Sequence, residues 1–193
     1  MSDADRATAF LRPLFPDWSL VMTDANGLSG GCAVMWNPSV YAFTAFGFLS
    51  GIVLTGFCRG FKPRIHIINI YAPYSNKLNF WQHLEDCGFF LLRNIIMVGD
   101  YNYSFSPDEI WGDKGRVDPC DSDIKELLLN SDLIDIPMAR KSPTWINGRK
   151  GPNFIGKQID RIMISMGFRS AIRNLDVEVE DLTISDHRSM ILA

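Results

Sequence analysis

The chain has 193 residues, which suits one ordinary domain with a sizeable hydrophobic core. Hydrophobic residues make up 47% of the chain and charged residues 21%, which excludes disordered, collagen-like and coiled-coil proteins. The formal net charge of −3 excludes a nucleic-acid binder that is basic overall, and no apolar run reaches the roughly 18 to 20 residues that span a bilayer.

Short predicted elements fill the first third of the chain. A helix is predicted over residues 5–15, because prolines at positions 13 and 16 end it there. Four short strands follow, with glycine- and proline-containing turns between them. We predict antiparallel hairpins from strands at residues 18–23, 32–36, 40–48 and 52–58.

Helices and strands alternate in the remainder of the chain, which also contains a polar loop over residues 104–119. Helices are predicted at residues 77–92, with Ser75 or Asn76 as the N-cap, and at 121–130. Strands are predicted at residues 64–71, 94–98, 133–136, 144–146, 159–165, 177–182 and 189–192. The fold class is therefore α/β or α+β with layered helices and sheets, in a single domain over residues 1–193.

The four cysteines and the charge distribution suggest where the protein acts. No two cysteines form a CxxC pair or a zinc-binding spacing, so we expect reduced thiols in an intracellular protein without a secretory signal. Residues 137–173 hold eight basic residues and one acid, a net +7, which leaves −10 for the rest. This asymmetry fits either a face for a phosphate backbone or an ordinary solvated surface.

Polar side chains follow two of the predicted strands in the middle of the chain. Tyr71 ends an apolar strand, where its hydroxyl could reach a ligand, although a Tyr there is also an ordinary rim residue. Asp100 and Asn102 follow a second apolar strand, and period-two alternation places both side chains on one side of an extended segment. Such a pair suits activation of a water beside a phosphate, but it also suits a simple Asx turn.

Two later segments also bring charges beside apolar strands. Asp160 and Arg161 interrupt an otherwise apolar strand, so they must be paired or lie on an exposed face. His187 follows Asp186 directly, and a His held by a second carboxylate could protonate a leaving oxygen or polarise a phosphate. Asp186 itself is a candidate ligand for a hard divalent cation.

Seven segments in this order resemble the endonuclease/exonuclease/phosphatase superfamily, most closely the endonuclease domain of plant LINE-type (non-LTR) retrotransposons. They are GLSGGCAVMWN (27–37), IINIYAP (67–73), MVGDYN (97–102), SDLIDIP (131–137), SPTWINGR (142–149), QIDRIMIS (158–165) and SDHRSMIL (185–192). The resemblance implies a DNase I-like four-layered α/β sandwich and Mg²⁺-dependent hydrolysis of DNA phosphodiesters, with Mn²⁺ as a substitute.

The resemblance also implies a role for each matched residue. Asp100 is the general base and Asn102 orients the water or a phosphate oxygen. Tyr71 contacts the scissile phosphate, and His187 faces it with its tautomer fixed by Asp160. Asp186 contributes to the metal site, while the expected supporting or DNA-contacting residues are Thr144, Ser185, Arg149, Lys150 and Lys157.

One departure from the family pattern concerns the metal site. Members of the family carry a site Asn and a metal-binding Glu on two strands that precede the GLSGG segment, and residues 1–26 contain no Glu. We therefore expect an amino-terminal truncation that lacks the first two strands, with weak metal binding and low activity.

Three alternatives to a DNA endonuclease remain open at this point. The chain could be a DNA-binding remnant that does not cut, a phosphomonoesterase or lipid phosphatase, or a retroelement fragment without function. The resemblance implies DNA as the partner and a nuclear location, with neither a membrane nor a small-molecule cofactor.

Overall fold

The computed structural model describes residues 3–24, 31–48, 50–112, 121–172, 175–180 and 185–193. Thirteen strands lie in these ranges: β1 (Ser19–Met22), β2 (Ala33–Trp36), β3 (Tyr41–Phe48), β4 (Gly51–Cys58), β5 (Phe61–Tyr71), β6 (Ile95–Asp100), β7 (Ile110–Gly112), β8 (Leu133–Asp135), β9 (Trp145–Ile146), β10 (Ile155–Lys157), β11 (Asp160–Ser165), β12 (Val177–Val179) and β13 (Met190–Leu192). The α-helices in the same ranges are α1 (Asp3–Leu14), α2 (Lys77–Asp86), α3 (Asp121–Asn130) and α4 (Met166–Ala171). None of them has the length and apolar composition that a membrane crossing requires.

A six-stranded sheet in the order β3-β4-β5-β6-β11-β8 forms the centre of the fold. Strands β5 and β6 are parallel, and the other neighbouring pairs are antiparallel. The connection between β5 and β6 contains α2, because parallel neighbours need a crossover. This parallel pair places Tyr71 beside Asp100, and the antiparallel pairing of β6 with β11 places Asp160 opposite Asp100.

The central sheet is buried on both faces, as a layered sandwich requires. Alternate residues of β6 point to opposite sides: Ile95 and Met97 pack into a core with Trp81 of α2, and Ile96 and Val98 pack into a second core. Helix α3 adds to the first core, while α4 and β12 add to the second. The structure thus confirms the predicted layered α/β class.

Smaller sheets complete the layers. Strands β1 and β2 form an antiparallel pair, as do β12 and β13, and β7-β10-β9 form a three-stranded sheet. Trp36 of β2 packs in a third core with Ile52 and Leu54 of β4. The three-stranded sheet lies beside the carboxyl end of β6, where it supplies part of a polar pocket.

Most predicted elements are present, with a few corrections. Helix α2 ends at Asp86, earlier than predicted, because Gly88 adopts a positive φ of 75° before a short 3-10 turn. Asn76 is the N-cap of α2 but makes no side-chain cap bond. The predicted polar loop contains a 3-10 turn at Pro107–Glu109 and strand β7, and neither β10 nor α4 was predicted.

Some predicted features lie outside the described residues. They are positions 27–30 of the GLSGG segment, 113–119 of the polar loop, 181–182 of a predicted strand, Cys120 and Arg173. The other cysteines, Cys32, Cys58 and Cys87, are free thiols, as predicted.

Arg161 on β11 is buried rather than exposed on an outer strand face. It is 1% exposed, and its guanidinium forms ion pairs with Glu109 and Asp135. Its charged carbon lies 3.5 Å from the centroid of the Phe105 ring. Glu109 also accepts a hydrogen bond from the Phe105 amide at 2.6 Å, so the cluster ties residues 105–109 to β11. Arg161 therefore does not belong to the basic surface that the sequence predicted.

Candidate active site

The carboxylate of Asp100 is positioned by the end of β6. Gly99, which precedes it, has a φ of +130°, and a Cβ there would lie 2.0 Å from the carbonyl oxygen of Ile70. Only glycine fits such an approach, so β6 passes close to β5 just before it delivers Asp100. The Asp100 carbonyl then accepts a hydrogen bond from the Ala72 amide at 2.7 Å, which ties the two strand ends together.

Asn102 adopts a turn rather than the extended conformation that period-two alternation predicted. Its φ is +49°, and its amide donates to the Oδ1 of Asp100 at 2.7 Å, which is the geometry of an Asx turn. Its side-chain Nδ2 donates to the carbonyl of Ala72 at 2.7 Å. The turn and the functional interpretation are compatible, because Asp100 and Asn102 both line the same pocket.

Asp160 and His187 form a carboxylate–imidazole pair. The Nδ1 of His187 lies 3.0 Å from Oδ2 and 3.1 Å from Oδ1 of Asp160. The Oγ of Ser185 accepts a hydrogen bond from the His187 amide at 3.1 Å, and His187 also forms a β-bridge with Trp145. With Nδ1 held by Asp160, Nε2 is the imidazole nitrogen that remains for a ligand.

Thr144 holds the backbone at Asp160 by hydrogen bonds and does not line the pocket. It is fully buried, and its Oγ1 accepts hydrogen bonds from the amides of Ile159 and Asp160, both at 3.0 Å. This corrects the assignment of Thr144 to DNA or phosphate contact, because a fully buried hydroxyl cannot reach a ligand. Thr144 instead fixes the backbone that carries Asp160.

Asp100 and His187 both have raised pKa values, and the charge of Asp160 contributes to each. Burial and the neighbouring charge of Asp160 raise the pKa of Asp100 to about 6 from 3.8, although the Asn102 amide, His187 and Lys77 oppose the rise. The hydrogen bond that His187 donates to Asp160 raises the pKa of His187, and burial partly opposes it. The raised pKa of His187 favours its protonated form, and Asp100 ionises above about pH 6, so the pair offers the two states that acid–base chemistry needs.

A pocket of about 850 Å³ brings most of the predicted site residues together. Six of them line it: Tyr71, Asp100, Asn102, Lys157, Asp186 and His187. Asp160 contacts Nδ1 of His187, and the Ser185 hydroxyl accepts a hydrogen bond from the His187 amide. Most of the candidate residues that the sequence singled out therefore meet at one place.

Arg149 and Lys150 lie at the exposed tip of the hairpin between β9 and β10 rather than in the pocket lining. Asn147 organises this tip. Its Oδ1 accepts hydrogen bonds from the amides of Arg149 and Ile155, and its Nδ2 donates to the carbonyl of Asn153. Lys157, at the base of the same hairpin, does line the pocket.

The donor set suits a hard divalent cation. Donor atoms of Asp100, Asp160 and His187 lie within 4.8 Å of one another, and carboxylate oxygens are the ligands that Mg²⁺ prefers. A cation would also relieve the repulsion that raises the pKa of Asp100. Asp186, the predicted metal ligand, is outside this group, and its Oδ2 accepts a hydrogen bond from the Trp145 indole at 2.9 Å.

Sequence reasoning missed several residues of the pocket wall. Lys77 lines the pocket from the first turn of α2, and Trp145 lines it from β9. Trp145 was visible as part of the SPTWINGR segment, and Lys77 follows the Tyr-Ala-Pro turn closely enough to have been suspected. Ser104 and Ser106 lie in the predicted polar loop, for which the sequence offers no comparable signal.

Comparisons with solved structures identify the fold. The endonuclease domain of TRAS1, a telomere-specific non-LTR retrotransposon, superposes with a TM-score of 0.70 at 15% identity, over 92% of this chain and 78% of that one. The 3′ phosphatase NExo from Neisseria, bound to product DNA hairpin, gives 0.67 at 19% identity, over 100% and 84%. An endonuclease/exonuclease/phosphatase family protein from Leptotrichia buccalis gives 0.59 at 15% identity, over 98% and 76%.

The chain therefore has the DNase I-like α/β fold that the sequence resemblance implied. Neither a protein-family model nor a curated protein matches the sequence. At these identities the likeness concerns the fold, so the argument for function depends on the site itself.

Proposed function

We propose that the chain hydrolyses DNA phosphodiester bonds as a LINE-type endonuclease domain. The observation that carries this proposal is the Asp160–His187 pair beside Asp100 at the carboxyl end of β6, with His187 and Asp100 lining one pocket. A phosphodiester needs a base for the attacking water and a cationic or proton-donating group for the phosphate. The buried carboxylate of Asp100 supplies the base, and His187, whose pKa is raised, supplies the cationic or proton-donating group.

The residues of the pocket divide the reaction between them. Asp100 accepts a proton from the attacking water, and Asn102 orients that water or a phosphate oxygen. His187, held through Nδ1 by Asp160, contacts the phosphate through Nε2 and stabilises the charge that develops there. Tyr71, which pairs with Asp100 in the sheet and lines the pocket, contacts the scissile phosphate.

Because Nδ1 of His187 already engages both oxygens of Asp160, Mg²⁺, with Mn²⁺ as a substitute, would be held in this proposal by Asp100, with Asp186 of the same pocket wall as the second ligand. When bound, such a cation neutralises charge on the phosphate. We expect weak binding, because one oxygen of each carboxylate already accepts a hydrogen bond, from Asn102 and from Trp145 respectively. Low turnover follows from this, so the activity should be sought under single-turnover conditions.

The test is nicking of supercoiled plasmid by excess protein with Mg²⁺, compared with EDTA. His187→Ala should lower the rate by about 10²- to 10⁴-fold, the usual contribution of a positioned acid or base, and Asp100→Ala should also abolish nicking. His83→Ala is the matched control, because His83 lies on α2 outside the residues that line the pocket. Nicking that persists in both site variants, or in EDTA, contradicts the proposal.

A second candidate function is DNA binding without cleavage. The exposed Arg149 and Lys150 near the pocket-lining Lys157 favour it, because such cations bind phosphates without any metal. A folded chain that fails to nick but binds duplex DNA in EDTA, with an affinity that falls steeply with salt, would select this alternative. Nuclear location belongs to both candidates as an expectation from the family resemblance.

A further inference from the structure

The turn between β5 and α2 presents an aromatic ring at the edge of the pocket. Tyr74 is 85% exposed, and no aromatic ring in the described ranges is more exposed. It nevertheless lines the pocket that contains Asp100 and His187. An exposed ring on a pocket wall leaves a flat apolar face to water beside the proposed site of chemistry, and a ligand that covers this face would gain from its burial.

Lys77 completes this wall and links it to the reacting centre. Its Nζ lies 5.7 Å from the centroid of the Tyr74 ring, and it lines the same pocket. Its charge also lowers the pKa of Asp100, so the ammonium acts within range of that carboxylate. A cation and an aromatic face next to each other are the two groups that proteins use to hold a single nucleotide, one for the phosphate and one for the base.

Trp145, another aromatic side chain on the pocket wall, is already engaged. The indole of Trp145 donates to Asp186 at 2.9 Å, and its backbone pairs with Lys157 and His187. Lys157 lies on that side of the pocket, so cations flank the reacting centre on two walls. A DNA strand that crosses the pocket between Lys77 and Lys157, with its scissile phosphate at His187, therefore carries a neighbouring base toward Tyr74.

We propose that Tyr74 is a stacking platform for an unpaired nucleobase next to the scissile phosphate, with Lys77 binding the phosphate of that nucleotide. This inference rests on the proposed function, since it assumes that a polynucleotide occupies the pocket. Bases in a continuous duplex are stacked on one another and cannot lie on Tyr74. The site therefore favours single-stranded or locally unpaired DNA over uninterrupted duplex.

A second cation–aromatic pair on the surface provides a matched control. Arg64 lies 5.4 Å from the ring centroid of Phe57, which is 45% exposed on β4, and neither residue lines the pocket. If an exposed ring beside a cation were enough to bind DNA, Phe57→Ala would weaken binding as Tyr74→Ala does. The proposal requires that it does not.

The experiment measures binding by fluorescence anisotropy in EDTA, so that it does not depend on cleavage. A short single-stranded oligonucleotide is compared with a blunt-ended, fully paired duplex, for the wild type and for Tyr74→Ala, Tyr74→Trp and Phe57→Ala. Stacking of one base contributes about 1–3 kcal/mol, so Tyr74→Ala should weaken single-strand binding about tenfold and duplex binding less than about twofold. Tyr74→Trp and Phe57→Ala should bind as the wild type does, and 2-aminopurine in the single strand should be quenched unless Tyr74 is removed.

The outcomes separate this inference from the proposed function. Equal losses on both nucleic acids for Tyr74→Ala, or an equal loss for Phe57→Ala, overturn stacking and leave the nuclease proposal intact. Selective loss with quenching supports stacking even in a chain that cuts nothing. A wild type that binds neither nucleic acid overturns both proposals.

Discussion

Asp160 and Arg161 are neighbours on one strand, yet their charges have opposite fates. Asp160 pairs with His187 at a pocket, where the side chains are 16% and 33% exposed. Arg161 points to the other face of β11, where its side chain is fully buried between Glu109, Asp135 and Phe105. His187 of the first pair can reach a ligand, whereas the guanidinium of Arg161 cannot. The comparison shows that an alternating strand can present a reactive charge and a structural charge side by side.

Removing the structural charge should have the largest effect on stability. Arg161→Ala removes a fully buried guanidinium and leaves Glu109, 13% exposed, and Asp135, 30% exposed, without their cation, and breaking a buried pair in this way costs up to about 3–5 kcal/mol. Urea denaturation followed by tryptophan fluorescence measures the change. Arg169→Ala is the control, because this half-buried arginine donates to the carbonyl of Ile172 and should cost less than about 1 kcal/mol. A loss for Arg161→Ala that matches the control would contradict the structural role.

The next largest loss of stability should come from replacing Thr144, which holds the backbone at Asp160. Thr144→Val leaves the buried amides of Ile159 and Asp160 without their acceptor, and each such group costs about 1–3 kcal/mol. We expect a destabilisation of roughly 2–3 kcal/mol together with an altered His187 environment, seen as a shifted imidazole resonance by NMR. Thr55→Val, which removes a hydroxyl that bonds to His66 on β5, should leave the His187 resonance unchanged. An unchanged His187 resonance in Thr144→Val would mean that Thr144 does not position the Asp160–His187 pair.

Removing the charge of Asp100, next to the reactive pair, should stabilise the protein, whereas the two changes above destabilise it. The Asp100 carboxyl has a pKa of about 6 in the folded chain against 3.8 as its ordinary value, so its ionisation opposes folding as the pH rises through this range. Asp100→Asn should therefore raise the free energy of unfolding by up to about 3 kcal/mol at pH 8, since the pKa rises from 3.8 to about 6 and one pKa unit corresponds to about 1.4 kcal/mol. Below about pH 3.8 the gain should vanish. Equal effects at both pH values would contradict this account.

The smallest change in stability should come from Asp160→Asn. The pair with His187 is partly exposed, and such pairs contribute less than about 1 kcal/mol. Its stabilisation is present below the ordinary His pKa of 6.5 and is lost as the pH rises through the raised pKa of the folded chain. An NMR titration should show that Asp160→Asn lowers the pKa of His187. An unchanged titration would mean that Asp160 does not hold the imidazole.

The local pattern of the chain was enough to predict most strands and the polar groups at their ends. Asp100 ends an apolar strand, Asp160 begins one and His187 lies just before one, and tertiary pairing brings them together. At Asn102 the sequence left an extended segment and an Asx turn open, and the turn forms because the Asn102 amide bonds to Asp100 and this local bond competes with the extended ladder.

Other features depend on partners far away in the chain. Arg161 pairs with a Glu that lies 52 residues earlier, and no spacing rule connects the two. The role of Thr144 likewise depends on a distant residue, because its hydroxyl accepts a hydrogen bond from an amide 16 residues later. That role follows from the tertiary structure alone. Tyr74 and Lys77 became candidates only once the pocket placed them beside Asp100.

The hairpin tip that Asn147 closes has a consequence for engineering. Its three hydrogen bonds are satisfied within residues 147–155, so the tip is a self-contained loop attached to a rigid base. Charges at Arg149 and Lys150 can thus be exchanged without moving Trp145 or Lys157 at the base. The loop is a natural position for a randomised library or a grafted recognition segment, in which affinity for a target changes while the reacting groups stay in place.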